Sequence, residues 1–248
     1  FFYMKQPMNK SKIITQWNSS HKNLHPTTKK LGIFAGLALL VFLGWSFYSA
    51  MNPAPPEISS PANEVSGEIL KIKNDDHIQW NPDGKVVLVE YLDFECEACA
   101  AYFPLVKQLK GEFGDDLTIV TRYFPLPGHK NSMTSAVTVE AASRQGKFLE
   151  MQNKLFGEQK QWWEKADPSM TIFLTYAQQL GLNMEQFEKD VKDPAVKERI
   201  MRDVESGKAL KINATPSFFL NGAKLSNIRS YEDLSNLVRS ELSKSSKQ

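Results

Sequence analysis

Cysteine is nearly absent from this chain: there are two in 248 residues. That scarcity excludes a disulfide-stapled miniprotein. The roughly 180 residues after the longest apolar run can bury about 70% of their unfolded surface as one domain, so the core needs no staple and the cysteines are freed for chemistry. Histidine is also scarce. The four present, His21, His25, His77 and His129, show no HxxxH spacing and supply no second ligand pair beside the cysteines. Acidic residues are missing from residues 1–30, which hold six lysines, and residues 31–51 carry no charge of either sign. With a formal net charge of +2, the rest of the chain sums to −4. A mildly acidic body with a short basic tail offers no broad cationic face, so the reading is no nucleic acid. There is no internal repeat.

What the chain does have is one long apolar run, LGIFAGLALLVFLGWSFY (31–48), extending uncharged to Met51. As a helix, residues 31–51 would rise about 31 Å, enough to cross a bilayer core. Lys29 and Lys30 directly precede the run and no basic residue closely follows it, which predicts the N-terminus inside and the body outside. The alternative is a cleaved signal peptide, whose apolar region should span about 7–15 residues and end in small residues. Tyr48 spoils the best such position before Ala50. The organisation predicted is a cytoplasmic basic tail (1–30), a single transmembrane helix (31–51), a proline-rich linker (52–66) and an extracytoplasmic domain (67–248).

Within the domain, KVVLVEYLDF (85–94) reads as a central strand buried on both faces, followed at once by a helix over 98–113 that contains Pro104. LTIVTRYF (117–124) is a second strand. Residues 132–210 are helical in pattern, with breaks near Gly146, Gly157, Asp167-Pro168, Gly181 and Asp193-Pro194. SFFL (217–220), the turn Asn221-Gly222 and residues 223–225 form a hairpin, and a last helix runs from Tyr231 to about Leu242.

Both cysteines fall in Cys96-Glu97-Ala98-Cys99, where the buried strand gives way to the helix. There the first sulfur meets free helix amides and the positive end of the dipole, which favour a thiolate. The second lies one turn further in, within reach of a mixed disulfide formed at the first. A closed zinc site would need four ligands, and an inert local disulfide is the other alternative; CxxC beside a strand-to-helix pattern is the redox arrangement.

These residues resemble the thioredoxin superfamily and, within it, the DsbA-like extracytoplasmic thiol oxidoreductases, including membrane-anchored versions. VLVEYLDFECEACAAYFP (87–104) is similar to the family's active-site strand and helix, and RYFPLPGHKNS (122–132) to the segment entering its inserted helical domain. QGKFLEMQNKLF (145–156) resembles its helical-domain signature, and ATPSFFLNG (214–222) its TPxFFxNG segment. Together they cover about residues 68–242. The resemblance implies an α/β thioredoxin fold with a helical insertion over about 132–210, preceded by the transmembrane helix.

It also assigns roles. Cys96 would attack, Cys99 resolve, and Pro216 be a cis-proline facing them. The backbone of Thr215 would pair with an extended peptide substrate. Glu90, six residues before Cys96, stands where the superfamily keeps a buried acid that moves the resolving thiol's proton; a solvated strand residue is the plainer alternative. Asp93 and Glu95 read as solvent-facing or capping residues. Glu97-Ala98 replaces the Pro-His of the family's best-known member, and an acid between the cysteines should oppose the thiolate. Phe103, Phe124, Trp162 and Trp163 either pack the core or line a peptide groove.

The activity implied is dithiol–disulfide exchange on exported cysteine-containing proteins, with the Cys96–Cys99 disulfide as the only redox group, no metal or organic cofactor, and a quinone-linked membrane reoxidant as partner. The alternatives are a reductase or isomerase fed by a thiol donor, and a metal-delivery or peptide-binding module without turnover.

Overall fold

The computed structural model describes residues 26–59, 64–165 and 169–245, with side chains from residue 38 onward except at 64–66 and 169. The chain divides into two compact units, Phe1–Ala54 and Pro55–Gln248. In the first, helix α1 (Pro26–Met51) contains the apolar run. Its large side chains from Leu39 to Met51 are exposed. Among the described residues no helix is long and apolar enough to cross a membrane. The expected anchor, residues 31–51, falls partly on residues whose side chains lie outside the described set, and residues 1–25 of the basic tail lie outside it altogether.

The second unit runs β1 (Glu57–Ile58), α2 (Glu64–Leu70), β2 (His77–Trp80), β3 (Val86–Leu92), α3 (Glu97–Phe113), β4 (Leu117–Tyr123), then six helices. These are α4 (Ser132–Ser143), α5 (Phe148–Gly157), α6 (Gln159–Trp162), α7 (Ser169–Gln179), α8 (Met184–Asp190) and α9 (Pro194–Ala209). β5 (Ser217–Leu220), β6 (Ala223–Ser226) and α10 (Tyr231–Ser245) close the domain. The strands form one mixed sheet in the order β1-β6-β5-β3-β4-β2. Among the described residues only β3 and β4 are parallel, and α3 supplies the crossover a parallel pair requires.

β3 lies between β4 and β5, which is why its sequence is apolar without alternation. On one face Val86, Leu88, Leu117, Ile119, Phe218 and Leu220 pack beneath Val106 and Leu109 of α3 and Leu234 and Val238 of α10. On the other, Val89, Tyr91, Val120 and Phe219 meet Leu70 of α2 and Ile212. A third core fills the helical block and reaches back to Phe94, Cys96 and Cys99.

The expected strands, hairpin and helical insertion are present, with no strand between Ser132 and Ala209 among the described residues. α3 continues through Pro104 as one element. The break expected at Asp167-Pro168 lies outside the described residues. Three departures occur. Residues 57–58, expected to be tether, pair with Leu225 and Ser226 as the edge strand; the flanking prolines suit an edge, where missing N–H groups break no ladder. β2 and α2 were not expected. The final helix reaches Ser245.

Candidate active site

Cys96 occupies the N-cap of α3 in an extended conformation (φ −70°, ψ 123°), and its carbonyl accepts the helix's first bond from the Ala100 amide at 3.1 Å. Both cysteines are thiols here, and both are buried: Cys99 completely, Cys96 to 8% exposure. The Cys96 thiol donates to the carbonyl oxygen of Thr215 at 3.3 Å. That contact brings the start of α3 against the segment entering β5, and the Thr215–Pro216 bond there is cis.

The two sulfurs differ sharply. The Cys99 thiol beside it pulls Cys96 down to about 5; burial opposes this, and Thr215 and the amides of Cys99 and Ala98 add to the pull. The buried Thr215 hydroxyl has no hydrogen-bond partner; the contact to Cys96 is made by the Thr215 carbonyl. Burial pushes Cys99 well above the ordinary thiol value, and a charged Cys96 and Glu90 push it further. The Asp93 amide donates to the Cys99 sulfur at 3.5 Å, the one partner that lowers it. Glu97, the first helical residue, is exposed, and Cys96 is drawn down with that acid in place.

Glu90 sits in the middle of β3, opposite Thr121 and Phe218, at 2% exposure. It shares its face with Val86 and Leu88, beneath α3, and so lies on the Cys99 side of the sheet. Burial alone raises its carboxyl to about 8. The solvated alternative is therefore excluded.

Asp93 and Glu95 are not solvent-facing. Their carboxylates are buried and hold the cysteine loop to the rest of the domain. Asp93 accepts from the amides of Glu95 (2.8 Å) and Leu126 (2.9 Å), pairs with His129 Nδ1 at 2.7 Å, and accepts the Cys96 amide on its carbonyl at 3.1 Å. Glu95 accepts from the Asn131 amide (2.5 Å), the Asn131 side chain (3.1 Å) and the Glu164 amide (3.0 Å). From α6, Gln159 donates to the carbonyls of Phe94 (2.8 Å) and Cys96 (3.1 Å). The helical block thus fixes the backbone that presents the nucleophile. Sequence reading missed Gln159, Asn131 and His129; the only signal for the last two was their place in the RYFPLPGHKNS segment.

Trp162 is fully buried against Phe173, and its indole donates to the Leu155 carbonyl, so it packs the core. Phe103 and Phe124 also pack inward. A groove of about 320 Å³ opens instead beside the cis-proline, lined by Ala98, Tyr102, Pro216, Phe218, Leu225 and Ile228 among others. Among the described residues no cluster of three or more His, Cys, Asp or Glu is placed to hold a metal ion.

A family model described as thioredoxin matches residues 73–240. Among curated relatives, the Na(+)/H(+) antiporter NhaA 1 of Mycolicibacterium gilvum (strain PYR-GCK) is 34% identical over 200 residues, covering 79% of this chain and 31% of that protein. NhaA of Herminiimonas arsenicoxydans is 33% identical over 202 residues, with 79% and 30% covered. The chain thus spans less than a third of those proteins' length, and the antiporter name belongs to them. Three solved structures share the fold. A thioredoxin-like oxidoreductase from Silicibacter pomeroyi DSS-3 has TM-score 0.59, 24% identity and coverage of 75% of this chain and 99% of that one. Wolbachia pipientis alpha-DsbA1 has TM-score 0.66, 19% identity and coverage of 73% and 97%. Oxidised BdbD from Bacillus subtilis has TM-score 0.61, 17% identity and coverage of 77% and 100%.

Proposed function

The chain belongs to the thioredoxin family, and from that premise we propose that it is a DsbA-like thiol–disulfide oxidoreductase that works outside the cytoplasmic membrane and oxidises cysteine pairs in exported proteins. The observation that carries this reading is the inequality of the two thiols, Cys96 at about 5 and Cys99 well above the ordinary value. A thiolate exists only in the reduced form, so whatever stabilises Cys96 as an anion stabilises the reduced enzyme and makes its disulfide the stronger oxidant.

A substrate thiolate attacks Cys96 Sγ of the Cys96–Cys99 disulfide, forming a mixed disulfide while the bonding pair leaves on Cys99. As a poor leaving group, Cys99 needs a proton, and Glu90, held near 8, still carries one at neutral pH. A second substrate thiolate then attacks the substrate sulfur of the mixed disulfide, and Cys96 leaves as the stable thiolate. Two electrons pass to the enzyme, the substrate gains a disulfide, and the reduced domain must be reoxidised by a partner, for which a quinone-linked membrane protein is suited. No metal or organic cofactor enters this cycle. The groove beside Pro216, lined by apolar residues together with Asn213, Ser217, Lys224, Ser226 and Asn227, suits an extended peptide segment, which the Thr215 backbone would pair with.

The deciding experiment traps the redox state of Cys96 and Cys99 in living cells by acid quench and alkylation. A predominantly oxidised pair is expected; a predominantly reduced pair would assign a reductase or isomerase fed by a thiol donor. Stoichiometric copper or zinc retention without exchange would assign a delivery module.

A further inference from the structure

We propose that His129, held by Asp93 beside the cysteine loop, is a switchable positive charge that partners the Cys96 thiolate and ties the strength of this oxidant to pH. The inference rests on the exchange reading and names a positioning residue for it.

The geometry is a built Asp–His pair. Asp93 has a completely buried carboxylate, and His129 a ring with 30% of its side chain exposed, Nδ1 lying 2.7 Å from Asp93 Oδ2. That oxygen also accepts the Leu126 amide at 2.9 Å, and Oδ1 accepts the Glu95 amide at 2.8 Å, so the carboxylate is fixed from three sides. A carboxylate only accepts; Nδ1 therefore carries the hydrogen, leaving Nε2 free to take or lose a proton. A turn, His129 amide to Leu126 carbonyl at 3.1 Å, sets the ring's approach. Asp93 is also the residue whose carbonyl receives the Cys96 amide and whose amide reaches Cys99 Sγ, so one residue fastens the ring to both cysteines.

The charges acting on the ring are Asp93, Cys96 and Glu95; burial disfavours its cation, but these three raise its proton affinity above the ordinary histidine value. Asp93 and Glu95 are present in both redox states. Cys96 is an anion only in the dithiol, and disulfide formation removes it. The ring must then hold its proton more tightly in the reduced domain than in the oxidised one. By reciprocity the protonated ring stabilises the thiolate, and with it the reduced form, by the same factor. The groups that act most strongly on Cys96 are Cys99, Thr215 and the amides of Cys99 and Ala98, so the ring's coupling is modest, on the order of threefold, which converts to about 15 mV for a two-electron couple. The electron balance of exchange is unchanged: when the mixed disulfide resolves, Cys96 receives the bonding pair and the cationic ring offsets its charge. As pH rises through the ring's titration that offset disappears, and the domain becomes a weaker oxidant than the thiol titrations alone would make it.

The test follows the His129 ring signals by NMR across pH in reduced and oxidised full-length protein. A pKa higher by about half a unit in the reduced form is expected; identical titrations overturn the proposal. Since a loop variant could perturb packing, His129→Gln and the charge-preserving His129→Arg are compared by thiolate absorbance and glutathione equilibration. His129→Gln should raise the Cys96 pKa and lower the potential at neutral pH and below, whereas His129→Arg should restore both and abolish the histidine-linked pH dependence. Equal behaviour of the two variants overturns the proposal. Failure of the broader exchange reading shows separately, as a wild-type domain that does not equilibrate with glutathione.

Discussion

Glu90 illustrates how one buried acid couples chemistry to stability. Its carboxyl lies at about 8 in the folded domain against an ordinary 4.5, so between those values the native state binds more protons than the unfolded chain. The favourable contribution is fully present below about 4.5 and is lost as pH rises through about 8, at up to ~1.4 kcal/mol per pH unit. In the reduced protein Cys96, drawn down to about 5, contributes the opposite trend over the same range, so it is the urea midpoints of the oxidised protein at pH 5 and pH 8 that should show the decline, and Glu90→Gln should remove it while slowing the protonation of Cys99 during exchange. A pH-independent difference between variant and wild type would exclude an ionising Glu90. The thiols make a second residue-scale prediction. With Cys96 drawn down to about 5 and Cys99 pushed well above the ordinary thiol value, Cys96 should be thiolate and Cys99 thiol at pH 7, and alkylation of Cys96 should be at least about 100-fold faster. Cys96→Ala should abolish exchange, and Cys99→Ala should accumulate mixed disulfides; equal alkylation rates would contradict the assignment. Cys96 and Cys99 could be picked from sequence because CxxC at a strand-to-helix junction carries its chemistry locally, whereas Glu90 is pointed to only by the family resemblance. Asp93, Glu95 and Gln159 could not be picked. Their partners lie tens of residues away, and an acid near a strand end looks the same whether water or a distant amide satisfies it.

Elements formed by long apolar patterns were legible, while those held by polar contacts were not. The four residues of β2 and the loop before them, with little apolar periodicity, are fixed by charge. The Arg122 side chain of β4 is fully buried and all five of its N–H groups are used: Nε and Nη2 on the Asp76 carboxylate at 2.9 and 2.8 Å, the others on the carbonyls of Ile69 and Lys71 and the hydroxyl of Tyr91. Next to it, His77 of β2 meets Glu140 of α4 at 2.7 Å, Tyr123 of β4 donates to the same carboxylate at 3.0 Å, and Phe148 of α5 stacks on the imidazole at 4.0 Å. Arg199 and Asp203 of α9 close the cluster at 2.7 Å, with Asp203 also accepting the Tyr123 amide. This is the polar joint between sheet and helical block, and the same block carries Gln159 to the cysteine loop. Asp76→Ala strands a buried guanidinium and should cost about 3–5 kcal/mol, read as a lowered urea midpoint, with looser presentation of Cys96 showing as slower exchange. A loss below about 1 kcal/mol would mean that water reaches Arg122.

At the scale of the whole chain, the boundary between the two units falls after Ala54, just beyond an uncharged run that begins behind Lys29 and Lys30. Side chains as large as Leu40, Val41, Phe42 and Trp45 stand 66–70% exposed on α1. A contiguous apolar surface of this kind needs a cover; among the described residues no helix is long and apolar enough to cross a membrane, and we propose that the whole uncharged run, residues 31–51, supplies that length, rising about 31 Å. On that proposal the lysines on its N-terminal side would set the direction, since a basic flank stays in the cytoplasm. The proposed oxidase chemistry would suit that placement, because a thiolate-stabilised oxidant has lasting substrates only where cysteines are not kept reduced. The expectation is therefore that full-length protein stays in the membrane pellet through alkaline carbonate extraction, and that protease added to intact spheroplasts digests the domain from Pro55 onward. Lys29→Glu combined with Lys30→Glu should weaken the orientation and leave a protected fraction. A soluble product beginning near Met51 would show a cleaved leader, and full protection in the wild type would put the domain in the cytoplasm, where an oxidant of this design would be held reduced.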